Sequence, residues 1–170
     1  MPDFFTANSL ALTGQLPQAQ SSLKIVDKEE SSMTIPIIAA VTGAILIIMQ
    51  ALLMILVGTH RIRNRINLGT GDDPALERKI RRHGNLAENA ALFVVVLALA
   101  EMTVVPNIVV QIIALVFVIG RIFHAVALST VAGSHGAKTG RIFAALRAIG
   151  AMTTFGSFVA LGGYLLAGIF

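Results

Sequence analysis

The chain is 170 residues long, 55% apolar and only 13% charged, with a mean hydropathy of +0.80. A soluble domain carries about 25% charged residues, so an ordinary water-soluble globule, a disordered chain and a nucleic-acid-binding arm are excluded. Cysteine is absent, which removes a disulfide framework, a thiolate metal site and a cysteine nucleophile. The formal net charge of +4, in so apolar a chain, reads as membrane topology and not as affinity for nucleic acid.

Residues 1–33 are polar and mixed, with Pro17 among Gln, Ser and Asn, and predict a poorly ordered tail. The apolar stretch that follows is too long for a secretory signal. Met33 is an alternative start that alters nothing downstream. Residues 34–170 predict one all-α domain of four transmembrane helices, over about 34–60, 74–103, 106–130 and 139–169. The uncharged run from Ile35 to Gly58 makes about 36 Å of helix, enough to cross a hydrocarbon core of about 30 Å. Asn89 to Ala100 is too short to span alone. Pro74, however, suits a first helical turn, and Gly84 is the one strong breaker before Glu101. Helix two therefore begins basic, at the interface, and carries Glu88 into the membrane. Met102 to Gly120 and Ala148 to Phe170 are the uncharged runs of helices three and four. Short turns between long helices predict an up-and-down bundle.

Of the 13 Lys and Arg, seven lie between Arg61 and Arg82 and four between Arg121 and Arg147. The positive-inside rule makes that side cytoplasmic and turns both termini away from it. Arg63, Arg65 and Lys79 are expected to meet lipid headgroups.

Polar residues within spans should look inward, because lipid exposure is costly. Arg81, Asn85 and Glu88, spaced i, i+4, i+7, share a face of helix two, with Arg78 on the same stripe. Arg121 and His124 share a face of helix three. If helices two and three turn around near residue 104, Glu88 lies level with Arg121 and Asn85 with His124. This predicts a buried Glu88–Arg121 ion pair, a bond that can be purely structural. The cations of the basic side outnumber Asp72, Asp73, Glu77 and Glu88, so the deeper ones call for another anion, such as a small ligand between helices. His60, His83, His124 and His135 match no ligand spacing, and no metal is expected.

Together, Glu77-Arg78-x-x-Arg81-x-His83-x-Asn85-x-x-Glu88, then Arg121-x-x-His124, with Arg61-x-Arg63 ending helix one, resemble the MAPEG superfamily: membrane-associated proteins in eicosanoid and glutathione metabolism. The likeness covers about residues 35–170, and the Arg-x-His-Gly-Asn form is most similar to the small prokaryotic branch. It implies a homotrimer of four-helix bundles, here in a bacterial inner membrane, with glutathione as co-substrate in clefts between subunits near the cytoplasmic side. By position, Arg61, Arg81, Asn85 and Glu88 become tripeptide-binding residues, joined by Arg121 and His124 as substrate-binding candidates. Arg141 or Arg147 becomes the catalytic cation beside the thiolate. Two carboxylates and one ammonium need several Arg and an acid, and Arg offers carboxylates a planar fork. The chain departs from the family at Gly84, where Arg is frequent, and at Leu128, where Tyr is frequent. The resemblance implies a glutathione-dependent transferase or peroxidase acting on small hydrophobic electrophiles. The alternative is a non-catalytic trimeric scaffold or lipid-binding protein. A proton-relaying transporter subunit is disfavoured, because no polar path crosses the membrane.

Overall fold

In a computed structural model, which describes residues 35–130 and 140–170, four helices follow one another: α1 (Ile37–Asn64), α2 (Pro74–Met102), α3 (Asn107–Ala127) and α4 (Arg141–Ile169). All four are long and apolar enough to cross a membrane. The expected N-terminal tail lies outside the described residues. So does 131–139, which includes His135.

The helix ends follow local chemistry. α1 runs a turn beyond its expected end near residue 60, since nothing from Arg61 to Asn64 breaks a helix. Arg61 and Arg63 in its last turn favour the negative end of its dipole. Arg65 then stops it with a left-handed φ of 55°. Asp73 caps α2, its Oδ1 accepting from the backbone N–H of Ala75 at 2.7 Å and of Leu76 at 3.2 Å, with Pro74 at the first helical position. α3 ends at Ala127, about a turn short of the expected 130, and α4 starts at Arg141 after Gly140 with φ 121°.

Two contacts pin the ends of α1 to α2. His60 Nε2 lies 2.6 Å from Asp73 Oδ2, and the Lys79 ammonium lies 2.6 Å from His60 Nδ1. The geometry suits a neutral ring that donates to Asp73 and accepts from Lys79. The hydrogen bond from His60, then that from the Ala75 N–H, holds the Asp73 carboxyl below its ordinary range. Lys79, expected to meet headgroups, thus has a protein partner in His60. At the other end, Pro36 offers α1 no side-chain cap. The buried Glu101, near the end of α2, does this instead: its two oxygens accept from Ile38 N–H and Ala39 N–H, each at 2.8 Å.

α1 packs mainly on α2, and α3 mainly on α4, with lighter contact between the two pairs. The rings of Phe93 (α2) and Phe117 (α3) stack 3.7 Å apart, and Phe158 (α4) leans against both. Interfaces between helices in lipid depend on close backbone approach at small residues. At the α3–α4 crossing a Cβ on Gly150 would lie 2.7 Å from the Gly120 carbonyl oxygen and 2.9 Å from the His124 backbone nitrogen. Only glycine fits there. The outward surface is apolar, with Ile47, Ile48, Met152 and Phe155 largely exposed, as expected of a chain whose solvent is lipid.

Candidate functional site

The polar stripe of α2 opens onto a cleft of about 950 Å³. α2 lines it with Glu77, Arg78, Arg81, Gly84, Asn85 and Glu88, α3 with His124 and Leu128, and α4 with Arg147. Helical geometry explains the grouping. At about 100° per residue, Arg81 and Glu88 lie some 40–60° to one side of Asn85, and Glu77 a little further round. These residues face the cleft while Asn85 faces α3. Gly84 keeps the wall low, since a Cβ there would approach only Glu88 Oε1, at 3.9 Å.

The expected Glu88–Arg121 ion pair does not form. Glu88 is exposed in the single chain, whereas Arg121 is 3% exposed. The Arg121 guanidinium donates one nitrogen to Asn85 Oδ1 at 2.5 Å and the other to the Gly150 carbonyl at 2.9 Å and to Thr154 Oγ1. It also lies over the Phe117 ring, 5.7 Å from the centroid, a favourable place for a cation. Arg121 lies within about a turn of the expected level, opposite Asn85. The difference is one of rotation, because Glu88 is turned away from the face that meets α3.

Of the residues singled out in the sequence, Arg81, Asn85, Glu88, His124 and Arg147 line one cleft. Arg121 stands behind it, on a smaller cavity of about 250 Å³ that also touches Asn85, His124, Thr154 and Phe158. Arg61 and Arg141 do not line the cleft. Arg61 is half-buried, with one guanidinium nitrogen buried and without a hydrogen-bond partner among the described residues. Arg141 is exposed at the first turn of α4. Glu77 and Arg78 were on the motif but not named as ligand contacts. Neither Gly150 nor Thr154 is given a site role by the sequence. A small residue followed four positions later by a hydroxyl, on the helix opposite a buried Arg, was the signal available.

The cleft carries Arg78, Arg81 and Arg147 against Glu77 and Glu88, with an amide and an imidazole on the wall. It can hold a ligand that is mainly anionic yet has one cationic end. These features define an integral, multi-pass membrane protein of four helices with a charged pocket between α2, α3 and α4. The MAPEG family model matches residues 39–167, and the chain belongs to the MAPEG family. No curated protein sequence matches the chain.

Proposed function

We propose that the protein is a glutathione-dependent transferase or peroxidase that acts on hydrophobic electrophiles reaching it through the bilayer. The observation that carries this reading is the charge pattern of the cleft. Three Arg surround it with two Glu and Asn85, which complements two carboxylates and one ammonium. Its volume is at the upper end of the about 300–1,000 Å³ typical of ligand sites, leaving room for a tripeptide and a reaction partner. A free thiol titrates near pH 8.5 and must be ionised to act. Between the two candidate catalytic cations, Arg147 is favoured over Arg141, because only Arg147 lines the cleft. A guanidinium beside the sulfur stabilises the thiolate. In the transferase reaction the thiol proton leaves to water, a sulfur lone pair forms the new bond to the electrophilic carbon, and the leaving group departs with its bonding pair. No covalent enzyme intermediate is needed.

We further propose a homotrimer in a bacterial inner membrane, with the basic face cytoplasmic and both termini opposite. The Arg61 nitrogen, without a partner among the described residues, and the exposed Arg81 and Glu88 favour a site completed by α1 of a neighbouring copy. Leu128 and Gly84 on the cleft wall favour the second reading, a non-catalytic lipid-binding scaffold, since neither brings a hydroxyl or a cation. Calorimetry of the purified protein with glutathione separates the two. Saturable binding is expected; no heat at millimolar glutathione favours the scaffold.

A further inference from the structure

Arg121 is a buried cation with no carboxylate partner among the described residues, and it does not line the cleft. Its grip on the cleft is indirect. α4 holds the guanidinium from one side, through the Gly150 carbonyl and the Thr154 hydroxyl. With that plane fixed, the remaining terminal nitrogen is aimed at Asn85, whose Oδ1 accepts at 2.5 Å. A planar guanidinium is a preorganised fork that loses little freedom on making these bonds. The carboxamide of Asn85 has one acceptor end and one donor end. With the oxygen turned to Arg121, the N–H₂ end is left for the cleft. Without Arg121 the amide can rotate by half a turn and present either end.

We propose that Arg121 is a positioning residue that sets the polarity of the site: by holding Oδ1 of Asn85 from behind, it makes Asn85 a fixed donor, which reads a carboxylate or carbonyl oxygen of the bound thiol peptide and not its ammonium. The proposal rests on the glutathione reading above. It goes beyond that reading in removing Arg121 from the ligand contacts and in assigning Asn85 a direction. The ammonium is left to the carboxylates of Glu77 and Glu88.

The test is a double-mutant cycle on the full chain in detergent, with glutathione as the probe, read by calorimetric Kd and by scanning calorimetry for stability. Arg121→Met should weaken binding about tenfold and Asn85→Ala by a similar factor. The double variant should be no weaker than the poorer single variant, because Arg121 acts through Asn85. Asn85→Asp keeps the acceptor for Arg121, so it should melt at or above the parent. It should nevertheless bind at least tenfold more weakly, because an anionic oxygen replaces the donor. In the Arg121→Met background the stability advantage of Asn85→Asp should vanish. Thr154→Val, which removes an anchor of Arg121 without touching the cleft, should weaken binding a few-fold. Multiplying losses in the cycle, or an Asn85→Asp variant that binds within twofold of the parent, overturn the proposal while leaving the function standing. A parent that takes up no glutathione overturns both. An Asn85→Asp variant that melts lower in both backgrounds overturns the Arg121–Asn85 contact itself.

Discussion

Glu101→Ala should destabilise the protein without touching its ligand site. The Glu101 carboxylate is 8% exposed and accepts from two backbone N–H groups at the start of α1, a helix with no side-chain cap of its own. Each hydrogen bond to a charged acceptor is worth about 1.5–3 kcal/mol, and a negative charge at a helix N-terminus adds about 0.3–1 kcal/mol. Allowing for some rescue by water or headgroups at this end, a loss of about 3–5 kcal/mol is expected. Glu101→Gln keeps one oxygen acceptor but sets an amide N–H₂ against the second donor, so it should lose about half as much. The chain has no Trp and no Cys, so tryptophan fluorescence and thiol dyes are blind to unfolding. Scanning calorimetry in detergent is the suitable assay, with amide exchange at Ile38 and Ala39 as the local readout. Both exchange rates should rise in Glu101→Ala while glutathione affinity stays at the parental value. A Glu101→Ala protein that melts with the parent, with Ile38 and Ala39 still protected, would refute the cap.

Arg81→Leu should weaken glutathione binding by about ten- to a hundredfold, from the loss of a forked charge-assisted contact of about 1.5–3 kcal/mol. Arg63→Leu, exposed beyond the cleft, should leave calorimetric Kd unchanged; equal losses would mean general surface charge. Gly150→Ala places a methyl against the Gly120 carbonyl and the His124 backbone. The overpacking costs about 1–3 kcal/mol and outweighs the gain of about 1 kcal/mol in helix propensity, so its calorimetric melting point should fall. Asp73 has a folded-state pKa below its unfolded value near 3.8, so its contribution is present above the unfolded value and is lost as pH falls through the folded one. Melting points should therefore drop as pH falls below about 4. Asp73→Asn should flatten that part of the profile, and an unchanged profile would contradict the His60–Asp73 contact.

The spans and the cleft were legible in the sequence for different reasons. Uncharged runs long enough to cross a bilayer locate helices within about a turn, and the ends shift where local breakers such as Arg65 and Gly140, and not charge, stop or start the helix. The i, i+4, i+7 stripe placed Arg81, Asn85 and Glu88 together, and His124 and Arg147 joined them. What was lost was rotation. A pairing by depth treats α2 as having one inner face, whereas its polar arc is wide: Asn85 in the middle meets α3, and Glu88 on the flank does not. The Glu101 cap and the His60–Asp73–Lys79 chain were hidden for another reason. Each joins ends of α1 and α2, and the relative height of two helices is not written in the periodicity of either. A clue did exist. Pro36 leaves the first N–H groups of α1 uncapped, and a lone acid stands at the far end of α2 with no cation near it in sequence.

The heavier packing within α1–α2 and within α3–α4 than between these pairs makes the molecule a book of two covers. The stacked Phe93 and Phe117 form part of its spine. Arg78, Arg81 and Glu88 are printed on one cover, and His124 and Arg147 on the other. The width of the cleft is then the opening angle of the book, and any ligand that touches both pages is a clasp. A stack that fixes this angle also fixes the spacing between the charged groups on the two covers. Substitutions at Phe93 or Phe117, which do not line the cleft, would therefore alter its width all the same.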